Sequence, residues 1–403
     1  MSIKLGDVLK VHHGFAFSGD GMTDDLSGRP IVVSIGNFNY TGGFRFESTR
    51  VREFRGEYPK EFNLTPGDLL VVMTCQTSGG EILGIPGIIP NDGMTYLHNQ
   101  RIGRVEVVAD RLHKRFAYYL FLTAEVNRQL FSTASGTKIL HTSPGRIEDV
   151  ECRIPPLREQ ARIATVLGVL DDKIAVNERI AATAIGLADT QFLRAVNGLQ
   201  FGEETFGSVA TVVGGGTPST KVDEYWGGDV CWTTPSDVTA LASPYLFETS
   251  RKITEIGLEN CASQLYPAQS IFMTSRATIG AFALPQVPAA VNQGFIVVLP
   301  PTDEMRWWLL HEMRSRVDEM VSLSNGSTFL ELSRKNFKAM RIRLPHATEV
   351  AAFSQKVGPL HAAAAHAAKE NHALAALRDT LLPQLMSGRI RVKDAEKIVE
   401  DAT

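Results

Sequence analysis

The chain has 403 residues, too many for one ordinary domain, and 44% of them are apolar, enough for each of two domains to bury a core. Its formal net charge of −3 excludes a protein coated in basic surface but leaves room for a local basic groove. No run of about 18 apolar residues is present to span a membrane, and the N-terminal MSIKLGDVLK lacks the apolar core of a signal peptide. The four cysteines, Cys75, Cys152, Cys231 and Cys261, have no CxxC spacing and read as reduced thiols of a cytoplasmic protein.

Residues 1–60 alternate short apolar runs, such as 31–35, with Gly-rich turns, which predicts strands and loops. The window 45–55 holds Arg45, Arg50, Arg52 and Arg55 with Phe46 and Phe54 interleaved. It reads either as a solvated strand face or as an edge that contacts phosphate. Pro66-Gly67 marks a turn before a buried strand at 69–73, residues 101–108 alternate as a strand, and 113–131 carry apolar residues at helical spacing. Residues 1–156 are therefore expected to form a strand-rich α/β domain.

Residues 157–200 predict a long helix without internal proline. A heptad reading puts Ile163, Leu170, Asn177, Ala184 and Gln191 at a, and Val166, Lys173, Ile180, Leu187 and Arg194 at d. Asn177 at a core position would select register and partner. A 40-residue helix is about 60 Å long, more than its own domain can cover, so it needs a partner helix. The sequence supplies one by repetition. Pro155 and Pro345, Leu170 and Leu360, and Leu187 and Leu377 are each 190 residues apart, and Asp189-Thr190 recurs as Asp379-Thr380. The second helix, 347–389, carries Phe353, Leu360, Ala367, Leu374 and Leu381 at a, with Pro359 expected to kink it near its start. Between the helices, 201–346 form a second domain whose landmarks track the first. Phe206-Gly207-Ser208-Val209 answers Leu5-Gly6-Asp7-Val8, LYPAQSIFMT answers LTPGDLLVVM, and Asn292-Gln293 answers Asn99-Gln100. GGGTPSTKVDEYWGGDVCWTTPSDV has no close counterpart, and 390–403 read as a tail. A shared frame with divergent inserts suits two binding modules for two targets.

Catalytic signatures are missing. There is no GxxxxGK[ST], HExxH, GxSxG or Asn/Asp-Pro-Pro-aromatic motif, and Gly214-Gly215-Gly216 reads as a turn. Asp171 and Lys173 imitate a nuclease D-x-K only by chance, mid-helix. What remains are polar, Gly-rich loops with isolated basic groups, in which Lys138, Thr217, Ser219, Lys221, Ser275, Arg276 and Ser327 are the candidate DNA contacts beside Arg45, Arg50 and Arg52. Trp226 and Trp232 read as packing residues rather than stacking platforms.

In this order and twice over, several short motifs resemble the DNA-specificity subunit of type I restriction-modification systems. In the first half they are Gly14-Phe15-Ala16-Phe17, Gly67-Asp68-Leu69-Leu70, Leu97-His98-Asn99-Gln100-Arg101, Ser135-Gly136-Thr137 and Pro155-Pro156-Leu157-Arg158-Glu159-Gln160, continuing into Leu170-Asp171-Asp172-Lys173-Ile174. In the second they are Gly216-Thr217-Pro218, Arg251-Lys252-Ile253-Thr254, Ser275-Arg276-Ala277-Thr278-Ile279-Gly280, Asn292-Gln293-Gly294-Phe295 and Gly326-Ser327-Thr328-Phe329. The second helix start departs from the pattern, with Leu344-Pro345-His346 and Glu349-Val350 in place of the PPL…EQ form.

The resemblance implies an α+β fold: two target recognition domains in pseudo-twofold repeat, separated by two long helices packed as an antiparallel coiled coil. Each domain would read one half of a split site on double-stranded DNA, and the helices would set the gap. The chain itself would hold no cofactor and no metal and perform no reaction. Two methyltransferase subunits using S-adenosylmethionine, and restriction/translocase subunits using ATP and Mg, would supply the chemistry. The helices, through Arg158, Glu159, Ile163, Leu170, Asp171, Asn177, Leu187, Phe353, Leu360, Leu374 and Leu377, would form the spacer and subunit interface. An assembly scaffold that no longer reads DNA, or a specificity-like protein serving another defence complex, is the alternative; a self-contained nuclease or methyltransferase is disfavoured by the absent motifs.

Overall fold

The computed structural model describes residues 2–44, 51–77, 79–108, 110–325 and 330–403. The chain divides into two compact units, 1–171 with 376–403, and 172–375. Each unit is one globular domain with a portion of both long helices.

In the first unit the central sheet has four antiparallel strands in the order Leu9–His13, Ile102–Val107, Leu69–Val72, Pro86–Ile88. Leu69–Val72 is buried on both faces, as its unbroken apolar run requires. Beside it lies a five-stranded sheet in which Ile31–Val32 runs parallel to Tyr96–Leu97. The expected helix at 113–131 is two helices, Lys114–Phe121 and Ala124–Thr133. Thr123 interrupts the pattern, because its side chain caps the second helix by accepting from the Val126 amide.

The second unit repeats this plan. Thr211–Val213, Phe295–Leu299, Ile271–Arg276 and Thr278–Pro285 follow the same antiparallel order, and Trp226–Thr233 runs parallel to Ala289–Val291. The extra length is a hairpin at 271–285, turned by Ala277 at φ 59°. The register is shifted by one from the proline-matched alignment of the sequences. Gly67 at φ 87° is matched by Gln269 at φ 67°, and the turn bonds Asp68 N to Thr65 O and Ser270 N to Pro267 O. The left-handed residue, not the proline, is the repeated feature.

Two glycines show how close the repeated backbones lie. A Cβ on Gly14 would stand 2.3 Å from the Asn99 carbonyl, and one on Gly215 would stand 2.0 Å from the Val291 carbonyl. The next amides close the same link, Phe15 N to His98 O and Gly216 N to Val291 O. Ser143 and Ser333 cap equivalent helices, Pro144–Glu148 and Arg334–Ala339, by accepting from the third amide beyond.

The long helices span Leu157–Ala195 and Ala347–Met386. In the second unit Asn177 and Lys173 both reach Glu370, and Phe192 packs on Phe353, so the two helices run antiparallel. The second helix keeps its heptad seam, with Phe353, Val357, Ala364, Ala367, Leu374 and Leu381 buried. The first keeps it at its a positions, where Ile163, Leu170, Asn177 and Ala184 are buried. Of its expected d positions Val166 is buried, but Ile180 and Leu187 are 45% exposed, because the second covered row lies four residues after each a position, at Leu167, Ala181 and Ala188, rather than three. The second helix continues unbroken through Pro359, whose ring faces solvent. Residues 390–403, expected as a tail, contain the helix Val392–Ala402, which buries Val392, Ala395 and Val399 and ties Glu396 to Arg162 at 2.8 Å.

Candidate nucleic-acid interface

In the second unit a closed circuit of contacts gathers the polar loops at one edge of the central sheet. Thr217 Oγ1 donates to Gln293 Oε1 at 2.5 Å, and the next residue, Gly294, accepts from the Ser275 amide at 2.8 Å. Arg276 Nε pairs with Glu331 at 2.8 Å, and Leu332 N bonds back to Ser275 O. Ser333 then starts the helix whose first residue, Arg334, lays its guanidinium against Gly214, at the head of the loop that carries Thr217.

The loop itself is fixed from beneath. Tyr266 OH donates to Gly214 O, Trp232 Nε1 to Gly216 O at 3.0 Å, and Trp226 Nε1 to Ser219 O at 3.2 Å. The two indoles meet edge to face with centroids 5.1 Å apart, and Arg251 stacks 3.6 Å above Trp226. Both tryptophans are packing residues, as expected. Burial pushes the pKa of the Tyr266 hydroxyl up.

The circuit accounts for several expected residues. Thr217, Ser219 and Lys221 are exposed on the loop, and Arg276 lies beside Glu331, half-exposed. Ser275 is only 3% exposed, its backbone in the sheet, so it offers no surface contact. Ser327 lies outside the described residues. Gln293, Arg334 and Arg251 were not singled out as contacts, since only the fold brings residues so distant in sequence to one edge; the Asn292-Gln293 landmark was the available signal.

The matching edge of the first unit is built differently. His141 and Ser135 exchange backbone bonds, closing a short loop that presents Thr137 and Lys138 to solvent. Gly136 sits there at φ 110°, where a Cβ would stand 1.9 Å from the Ile139 carbonyl. In place of the Thr217 loop are half-buried aromatics. Phe15 packs on Phe17 at 5.1 Å and Phe62 at 5.3 Å, and Phe17 on Phe54 at 4.9 Å. Arg52 and Arg55 face Asp24 and Asp25 at 3.0 and 3.2 Å, so neither is a lone cation. Arg45 and Arg50 lie outside the described residues. The two edges share a backbone frame and differ in chemistry.

The helix residues divide by role. Ile163, Leu170, Phe353 and Leu374 are buried, Leu360 and Leu377 half-buried, and Arg158, Glu159 and Leu187 exposed. Asp171 accepts from Tyr119 OH at 2.5 Å and pairs with Arg378 at 3.0 Å. Lys173 bonds Glu370 at 3.3 Å. The apparent D-x-K is thus two separate structural ion pairs. The four cysteines are free thiols. Among the described residues, no group of three His, Cys, Asp or Glu could hold a metal ion.

The family model for the type I restriction modification DNA specificity domain matches residues 1–184 and again 201–357. The chain belongs to this family. The two matches fall on the two repeats that the sheets display. Among relatives of this specificity family, the chain is 36% identical over 143 residues to the type I restriction enzyme MjaIX specificity subunit of Methanocaldococcus jannaschii, covering 35% of this chain and 33% of that one. It is 25% identical over 182 residues to the HindI specificity subunit of Haemophilus influenzae, covering 44% and 39%. The matched stretch thus spans between a third and two fifths of these curated relatives. The crystal structure of the type I restriction-modification S subunit from M. genitalium has the same fold, with a TM-score of 0.53 over 96% of this chain and 95% of that one at 14% identity. No helix among the described residues is long and apolar enough to cross a membrane.

Proposed function

We propose that this specificity-domain chain is the non-catalytic DNA-reading subunit of a cytoplasmic type I restriction-modification complex. Its domains at 1–156 and 201–346 each read one half of a bipartite site on double-stranded DNA, and the helices at 157–200 and 347–389 set the gap. The observation that carries this reading is the pair of matched sheet edges. The backbone frame is the same to the level of the Gly14 and Gly215 contacts, while one edge is aromatic and the other polar. Two frames with two surfaces suit two different half-sites, whose bases differ in donor and acceptor pattern.

Chemistry comes from partners. Two methyltransferase subunits bring S-adenosylmethionine, and restriction/translocase subunits bring ATP and Mg. The exposed Val176, Ile180 and Leu187, on the solvent face of the first long helix, suit a partner surface of this assembly. The test is methylome sequencing of cells expressing the chain with its methyltransferase, and of cells without the chain. A bipartite mark with a fixed gap that disappears with the chain supports the reading. An active methyltransferase whose marks do not depend on the chain would leave it a scaffold.

A further inference from the structure

Three carbonyls of the segment 214–222 of the second unit are bonded by side chains from beneath. The carbonyls of Gly214, Gly216 and Ser219 are taken by Tyr266, Trp232 and Trp226. Among the described residues, the backbone N–H groups of Thr217, Ser219 and Thr220 meet no backbone acceptor. Alongside them stand the exposed hydroxyls of Ser219 and Thr220 and the exposed ammonium of Lys221. The nearest carboxylates in sequence, Asp223 and Glu224, lie beyond, in the turn that follows.

Base edges in the major groove present donors and acceptors together, whereas a phosphate presents acceptors only. Three N–H groups without a backbone acceptor beside one exposed cation match the phosphate. The neighbouring pairs Thr217–Gln293 and Arg276–Glu331 carry both kinds of group and match base edges instead. We propose that the 214–222 loop holds the DNA backbone at the second half-site. Tyr266, Trp232, Trp226 and the Arg251 stacked on Trp226 act as positioning residues that keep the loop preset. This rests on the DNA-reading function proposed above and gives its second domain a division of labour: the loop fixes register, and the adjacent side chains read sequence.

The experiment uses the full chain assembled with its methyltransferase. Binding is measured across a salt series on a duplex carrying the bipartite motif found by methylome sequencing, and on one with the second half-site scrambled. Lys221→Ala is expected to weaken both duplexes by the same several-fold factor, to lower the salt slope by about 1, and to leave the methylated motif unchanged. Trp226→Phe keeps a ring under Arg251 but removes the N–H held by Ser219 O, and it should weaken binding with the motif intact. A changed second half-site in either variant, or an unaltered salt slope in Lys221→Ala, overturns the proposal. A wild-type complex with no bipartite preference overturns the DNA-reading function, and the proposal with it, before any variant is compared.

Discussion

His311 and His361 meet Nε2 to Nε2 at 2.9 Å inside the second unit. The chain extends both ways: His311 Nδ1 lies 2.7 Å from Asp189, and His361 Nδ1 lies 2.8 Å from Tyr245 OH. Arg314 holds Asp189 through both carboxylate oxygens, and Trp307 stacks on the His361 ring at 3.9 Å. Burial alone would raise the Asp189 pKa, but its bonds to His311 and Arg314 hold it low. With Asp189 ionised, the hydrogen bonds can run only one way through neutral rings. Tyr245 O–H donates to His361 Nδ1, His361 Nε2–H to His311 Nε2, and His311 Nδ1–H to Asp189.

This arrangement makes the second unit acid-labile. Burial, aided by His311 and Arg314, depresses the His361 pKa to about 3, and burial also lowers that of His311. A depressed histidine favours the neutral form in the fold. Its stability contribution is complete above the unfolded value near 6.5 and is lost as pH falls through the window toward about 3, because the unfolded chain binds the proton first. At pH 5 His361 alone should cost about 2 kcal/mol relative to pH 7. Thermal unfolding of the wild type and His361→Gln at both pH values checks this. The wild type should lose the larger increment, and parallel curves would refute the assignment.

Asp171 and Arg378 are a largely shielded pair in the first unit, with the Tyr119 hydroxyl on the second carboxylate oxygen. Asp171→Ala leaves Arg378 without this carboxylate and Tyr119 without an acceptor, and should cost on the order of 3 kcal/mol. Asp171→Ala with Arg378→Ala should cost less than the two single losses together, as measured by denaturant unfolding.

Gly14→Ala and Gly215→Ala should act alike. Each places a Cβ against a backbone carbonyl, at 2.3 and 2.0 Å, and must push apart the segments that carry Phe15 N–His98 O and Gly216 N–Val291 O. Each is expected to cost on the order of 1–3 kcal/mol. Amide exchange should rise at residues 96–99 in the first variant and at 289–292 in the second.

Ile180→Asp and Leu187→Asp change exposed side chains, so the melting temperature of the isolated chain should stay within about a degree or two. Co-purification of the methyltransferase should fall sharply if this face is its seat. Retained assembly would place the interface elsewhere on the helices.

The sequence alone carried the architecture. The spacing of 190 residues between Pro155 and Pro345, and the paired landmarks such as Asn99-Gln100 and Asn292-Gln293, declare two equivalent domains and two equivalent helices, because repeated residues must meet repeated environments. The buried strand at Leu69–Val72 and the helix start at Leu157 were also legible, since local periodicity follows directly from backbone geometry.

Only the tertiary structure decided which residues share an edge or a core. The heptad template put Ile180 and Leu187 inside, but which row joins the a positions in the seam depends on the partner the helix meets, and here it is the row of Leu167, Ala181 and Ala188. The proline-matched register slipped by one because a left-handed position was held by Gly67 in one repeat and by Gln269 in the other. The meeting of His311 with His361, of Thr217 with Gln293, and of Trp226 with Ser219 joins residues that no local pattern connects. Such contacts are set by how sheets and helices pack, and packing is a property of the whole fold.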